Sequence, residues 1–138
     1  METTTNSPEE TQKLAKNFAK SLKNGDVVLL YGDLGSGKTQ FFKGLAKGLG
    51  IKERVTSPTF VFIKTYKVGK RIINHVDLYR AEKSSDLEEI GIEEIMSNDA
   101  ITVIEWADRL EGRVPKKRID VLIEPKDEKR RKIRITRH

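Results

Sequence analysis

Residues 31–42 read YGDLGSGKTQFF. Three glycines, a lysine and a threonine stand there between an apolar stretch, DVVLLY, and a segment in which Phe41, Phe42, Leu45 and Leu49 recur at helical spacing. DVVLLY is too short and too uniformly apolar for an amphipathic helix, and its valines favour a central strand covered on both faces. Gly50 is placed to end the helix that follows. The local order is therefore strand, glycine loop, helix.

Gly32, four residues, then Gly37, Lys38 and Thr39 match the phosphate-loop pattern G-x-x-x-x-G-K-[ST], in the strand-to-helix setting that gives the pattern its meaning. Glycines at 32, 35 and 37 let several backbone N–H groups converge on one concavity, and the helix starting near Lys38 adds its positive end. Lys38 supplies a point charge for β- and γ-phosphates, and the Thr39 hydroxyl suits Mg²⁺, which takes octahedral oxygen coordination. The expected binding segment is Asp33, Leu34, Gly35, Ser36, Gly37, Lys38, Thr39 and Gln40, and its expected occupant is a nucleoside triphosphate with Mg²⁺.

Hydrolysis further requires a carboxylate near the metal and a group that orients water. Glu105 follows the apolar run ITVI, so it should emerge at the carboxyl end of a buried strand, where α/β sheets place their ligands. Asp77 ends INHV in the same manner and is suited either to a metal-bound water or to orienting the nucleophile. Lys38, Asp77 and Glu105 are the catalytic candidates, with Thr39 and Glu105 for the metal. His75 lies two residues before Asp77, on the same strand face. A lone histidine is more often structural, and His75 is a secondary candidate. Trp106, the only tryptophan, suits stacking on a base or a partner and equally suits covering the core edge. TSPTF places Pro58 among small hydroxyl residues just before a strand, where switch loops sense a γ-phosphate. Thr56, Ser57, Pro58 and Thr59 are the candidates for that loop.

Elsewhere, NSPEETQKLAKNFAKSLKNG reads as a helix capped by Ser7, with Pro8 in its first turn, Glu10 completing a capping box and Gly25 as its left-handed stop. Leu14, Ala15, Phe18, Ala19 and Leu22 form its buried stripe. TFVFIKTY and RIINHVDLY form a hairpin turning at Gly69. Ser85 with Glu88 opens one further helix, SSDLEEIGIEEIM, whose acidic face is solvated. ITVIEW is a buried strand, and RIDVLIEP and KIRITR close the chain as an antiparallel pair.

The chain of 138 residues fits one domain, 1–138, able to bury roughly two thirds of its unfolded surface. Residues 1–6 are expected to be a flexible N-terminus. No cysteine is present, which excludes disulfides and thiolate metal sites and fits a reducing cytosol. Neither a membrane span nor a secretory signal is expected, because the longest strongly apolar runs are only a few residues. The net charge of +6 is concentrated at the end: residues 113–138 carry 11 Lys and Arg against 4 Asp and Glu, whereas the preceding residues carry 16 against 17. Those basic strands suit an anionic partner, although a solvated strand face accounts for them as well.

Taken in order, GDLGSGKT, SPTF, HVDLYR and IEW resemble the small P-loop ATPase family of bacterial tRNA threonylcarbamoyladenosine biosynthesis, TsaE, over roughly residues 7–125. Ser36 stands where alanine is common in that family, and the tail beyond Pro125 matches least well. The resemblance implies an ATP site with Lys38 and Thr39 at the phosphates and Mg²⁺, Glu105 as the acidic magnesium residue and Asp77 needed for turnover. It also implies a switch loop at SPTF and Trp106 near the site. Finally, it implies a cytoplasmic complex with TsaB and TsaD, which transfer the threonylcarbamoyl group to position 37 of ANN-decoding tRNAs. In that system ATP hydrolysis resets the complex, and tRNA is met only through it.

The expected fold is α/β, a single-domain P-loop sheet with a parallel centre, antiparallel outer strands and flanking helices. Two other readings share the loop. A small-molecule kinase needs an acceptor pocket and usually an arginine-bearing lid, for which the hairpin after the loop helix leaves no spare segment. A nucleic-acid module would work through the basic C-terminal strands, and its sign would be RNA affinity that falls steeply with salt.

Overall fold

A computed structural model of the chain describes residues 1–33, 35–53 and 63–138. Leu34 and the segment holding Thr56, Ser57, Pro58 and Thr59 lie outside the described residues. The elements run β1 (Glu2–Thr5), α1 (Pro8–Ala19), β2 (Val27–Tyr31), α2 (Lys38–Leu49), β3 (Ile63–Val68), β4 (Arg71–Asp77), α3 (Ser84–Ile90), α4 (Ile92–Ser97), β5 (Ile101–Glu105), a 3₁₀ segment (Ala107–Arg113), β6 (Ile119–Pro125) and β7 (Arg131–Arg137).

The described strands form a seven-stranded sheet in the order β1-β7-β6-β2-β5-β4-β3. Its centre is parallel: β2 pairs with both β5 and β6, and β4 pairs with β5. The flanks are antiparallel, through β3 with β4 on one side and β6 with β7 and then β1 on the other. This is the expected P-loop arrangement of a parallel centre with antiparallel outer strands. From β2 the chain goes on to β3 and β4 on the β5 side, whereas from β5 it goes on to β6 on the far side of β2, and such a switch point opens a crevice beyond the strands' carboxyl ends.

Every residue of β2 from Val27 to Leu30 is buried, as a central strand covered on both faces requires. Alternation sends Val28 and Leu30 into the layer beneath α1 and α2, where Phe41, Phe42, Leu45 and Leu49 also pack. Val27 and Leu29 face the opposite layer with Leu87, Ile92 and Leu110. α1 and α2 cross so closely that a Cβ added at Gly48 would stand 2.5 Å from Ala19 Cβ and 2.6 Å from Lys16 O.

Several local expectations are corrected. The first six residues, expected to be flexible, include β1, whose Glu2–Thr5 pairs in register with Arg131–Arg134 of β7. α1 starts as expected, with Glu10 N–H donating to Ser7 Oγ at 3.1 Å, but it ends at Ala19, well before Gly25. There the chain tightens through i→i−3 bonds from Ser21 to Phe18 and Leu22 to Ala19, which turns Leu22 into the core, while Gly25 N–H donates to Ala100 O. The single acidic helix is two: Gly91, at φ 70, ends α3 and begins α4. Its opening is held by Asp86, whose carboxylate accepts from Glu82 N–H and Lys83 N–H, rather than by Ser85 with Glu88. Finally, the 3₁₀ segment after β5 has no forerunner in the sequence reading.

Candidate functional site

β2 ends at Tyr31 and runs through the glycine loop into α2, which starts at Lys38. Gly35 and Gly37 adopt φ of 81° and 109°, conformations that side chains resist, and both backbones reach the floor of a cleft of about 430 Å³. Lys38, Thr39 and Gln40 line the same cleft from the first turn of α2, and Asp77, Glu105 and Trp106 line it from the ends of β4 and β5. Asp77 and Glu105 are register partners on adjacent strands, which is why two acids converge there.

Lys38 is 6 % exposed, and its ammonium has no hydrogen-bond partner among the described residues. It sits 3.7 Å from the centre of the Trp106 ring, a cation–π contact. Burial pushes the Lys38 pKa below its usual range, against the pull of the Glu105 and Asp77 carboxylates. A buried, unpartnered ammonium is costly unless an anion is to be held there. The residues therefore fit the phosphate group that the loop pattern calls for.

Burial raises the Asp77 pKa first, the Tyr79 N–H that donates to Oδ1 at 2.9 Å opposes this, and the neighbouring Glu105 adds to the rise. Glu105 is 5 % exposed, and its Oε2 lies 2.7 Å from His75 Nε2. His75 does not line the cleft. It stands behind Glu105, stacked on Phe42 at 3.7 Å between centroids. Trp106 holds a left-handed backbone, φ 57 and ψ 44, at the end of β5. A conformation so unfavourable for a large side chain persists only where its surroundings enforce it, and here it brings the indole over Lys38.

Two members of the expected binding segment lie off the cleft. Ser36 is fully buried beneath the loop, its hydroxyl without a partner among the described residues, and Asp33 is exposed, its carbonyl accepting from Ser36 N–H. Three residues outside the candidate set complete the wall: Pro8 of α1, Tyr79, and Arg131 of β7, which the sequence offers with Arg130 only as an open adenine contact. Tyr79 was within reach of inference, two residues beyond Asp77 in the strand-end motif. Pro8 and Arg131 carry no local signal, since only the tertiary fold brings them here.

Among the described residues, no cluster of three or more histidines or acids forms a ready metal cage. Thr39 and Glu105 instead line the cleft with Asp77 beside them, and they are the residues that could hold a Mg²⁺ keeping waters and phosphate oxygens as its other ligands. A larger hollow of about 550 Å³ lies between α3 and the 3₁₀ segment. Its Arg113 is already bonded to Glu88, Glu93 and Ser84, and among the described residues no unpartnered buried polar atom lines it, in contrast to the smaller cleft with Lys38.

Much of the basic charge near the C-terminus is engaged within the chain: Arg118 with Asp120, Arg130 with Asp127, and Lys132 and Arg134 with Glu2. No described helix is long and apolar enough to cross a membrane.

A sheet that switches direction at β2, with a glycine loop between that strand and the N-terminus of α2, is the fold of the P-loop nucleoside triphosphatases. Residues 5–133 match the family model described as "Threonylcarbamoyl adenosine biosynthesis protein TsaE". The chain belongs to the TsaE family. It is 43% identical over 129 residues to the tRNA threonylcarbamoyladenosine biosynthesis protein TsaE of Bacillus subtilis, covering 94% of this chain and 80% of that one. It is 40% identical over 136 residues to the protein of the same name from Rickettsia bellii, covering 98% and 94%. The crystal structure of Bacillus subtilis YdiB superposes with a TM-score of 0.83 at 37% identity, covering 99% of this chain and 84% of that one.

Proposed function

We propose that the protein binds Mg²⁺ and ATP at the cleft beneath Trp106 and hydrolyses the nucleotide slowly to ADP and phosphate. The observation that carries this reading is Lys38: an ammonium almost out of solvent, without a hydrogen-bond acceptor among the described residues, at the head of a glycine loop and facing two carboxylates. Its charge takes β- and γ-phosphate oxygens, while the loop's backbone N–H groups and the positive end of α2 share that load. Thr39 and Glu105 are the residues that would hold Mg²⁺, which supplies charge neutralisation between the phosphates when bound. Asp77, adjacent to Glu105, orients the attacking water, and the Thr56–Thr59 segment senses the γ-phosphate.

In this reading the protein serves tRNA threonylcarbamoyladenosine formation in the cytoplasm, where its hydrolysis resets a TsaB–TsaD-type complex acting at position 37 of ANN-decoding tRNAs. The family membership supports that assignment, and the relatives carry that pathway in their names. The chain touches tRNA only through its partners, in keeping with basic strands whose charges are so largely engaged internally.

Two measurements test the proposal together. Calorimetric titration of the purified chain should give heat with Mg·ATP and Mg·ADP, and ATP hydrolysis should be slow alone and change on adding the two-protein complex. Capture of that complex by the immobilised chain should depend on ATP. No binding heat with either nucleotide, alone or with the complex, overturns the proposal.

A further inference from the structure

Arg131 opens β7, 95 residues beyond Ser36 in sequence, yet its Nε donates to Ser36 O at 2.6 Å and its Nη2 to Gly35 O at 3.3 Å. The third nitrogen, Nη1, faces the carbonyls of Asp127, Glu128 and Arg130 at 2.8, 3.3 and 2.9 Å. One guanidinium therefore gathers five backbone carbonyls, two from the glycine loop and three from the turn between β6 and β7. Arg131 also packs on Gly37, where an added Cβ would meet its Nε at 3.4 Å.

This arrangement bears on how the loop receives an anion. In a trans peptide the carbonyl and the following N–H point in opposite directions. A carbonyl turned toward a bound phosphate repels it, and the N–H that should have met the phosphate is then turned away. Arg131 draws the Ser36 carbonyl to itself and so sends Gly37 N–H to the opposite side. The peptide before it is held at both ends: Arg131 takes Gly35 O, while Ser36 N–H donates to Asp33 O at 2.9 Å. Gly35 and Gly37, at positive φ, are the positions where such peptides would otherwise flip at little cost.

We infer that Arg131 is a positioning residue for the phosphate loop: it fixes the Ser36–Gly37 peptide in the anion-receiving orientation before nucleotide arrives, with the Gly35–Ser36 peptide held behind it. The rigid planar fork of arginine is what makes this feasible, since its nitrogens point along divergent fixed directions that one lysine ammonium cannot span. The loop's geometry is thereby tied to the β6–β7 turn at the end of the closing hairpin. This inference rests on the nucleotide-binding reading of the cleft.

The test compares the full chain with Arg131→Lys and Arg131→Met, using Arg134→Met as the control, an exposed arginine of the same strand that pairs with Glu2. Calorimetry with Mg·ADP is expected to show affinity weakened at least tenfold in both Arg131 variants and within twofold in the control. Without nucleotide, the amide resonances of Ser36 and Gly37 are expected to shift in both variants, because the loop itself is altered. Wild-type binding with Arg131 variants that bind within twofold overturns the inference. So does weakened binding with unshifted nucleotide-free loop amides, which would mark direct contact with the ligand. If the variants do not fold, the Arg131 Nε–H of the wild type decides: slow exchange with water supports the bond to Ser36, and fast exchange overturns it. A wild-type chain that binds no Mg·ADP overturns the function itself, and this inference with it.

Discussion

His75 Nε2 lies 2.7 Å from Glu105 Oε2, with both side chains almost wholly out of solvent. A carboxylate offers only acceptors, so the imidazole supplies the N–H. Phe42 of α2 stacks on the ring and fixes its plane, and strand register sets His75 one alternation below Asp77, whose partner across the sheet is Glu105. The histidine thus orients an acid that lines the cleft, although it does not reach the cleft itself.

Replacing His75 with leucine keeps an apolar body against Phe42 but leaves a buried carboxylate short of a donor. That should cost about 1–3 kcal/mol. His75→Gln, whose amide nitrogen reaches nearly as far as Nε2, should recover part of the loss. Urea unfolding of the three proteins measures the stability. ATP turnover should fall in the leucine variant more than Mg·ADP affinity does, because the altered group is the acid and not the loop.

Lys38 separates function from stability. Its pKa is lowered in the fold, so between the folded value and the usual 10.5 the unfolded chain binds the extra proton, and stability rises with pH across that window. Below it, the charged ammonium weighs on the folded state in full. Lys38→Met should therefore be at least as stable as the wild type at neutral pH, with the gap narrowing as pH climbs toward 10.5. Its ATP hydrolysis should fall by roughly 100-fold or more, the scale of losing one charged transition-state partner. Urea midpoints across pH, beside a phosphate-release assay, check both halves.

The features legible in the sequence are those whose cause is local. The glycine loop, β2, α2, and the acids Glu105 and Asp77 could be placed because strand ends and loop chemistry are written in neighbouring residues. β1 could not, since ETTT has no apolar alternation, and its reason for being a strand is β7, about 130 residues away. The split at Gly91 was hidden because Leu87, Ile90 and Ile95 continue a helical period through a glycine that folding uses as a stop. The hold of Arg131 on the loop was hidden for the same reason as β1: its partners are loop carbonyls that any sequence would have.

Asp127 organises the turn that anchors Arg131. Its Oδ1 accepts from Lys129 N–H at 3.0 Å and Arg130 N–H at 2.8 Å, and the Arg130 side chain donates to Oδ2 at 2.6 Å. These bonds, led by the Arg130 backbone and side chain, hold its pKa down to about 2. A depressed carboxylate contributes stability that is present above its ordinary 3.8 and is lost as pH falls through about 2. An NMR titration of the Asp127 carboxyl carbon should have its midpoint near that value, with the Lys129 and Arg130 amides shifting in step. In Asp127→Asn those amides should show no such titration.

Gly44 tests the crossing of α1 and α2, which sets α2 and hence the start of the phosphate loop's helix. A Cβ there would fall inside van der Waals range of the Gln12 backbone, which has no flexible end to yield, so the helices would have to separate. Alanine raises helix propensity by about 1 kcal/mol over glycine. Forcing extra volume into a packed contact costs about 1–3 kcal/mol. The second effect should win, since the clash is with main chain, leaving Gly44→Ala destabilised by up to about 2 kcal/mol on these figures. Gly112→Ala, whose Cβ meets nothing within 4 Å, should stay within about 0.5 kcal/mol of the wild type. Gln12 also donates from its side chain to Gln40 Oε1 at 2.7 Å in the first turn of α2. Separation of the helices should therefore reach the cleft, and Mg·ADP affinity should weaken in Gly44→Ala and hold in Gly112→Ala.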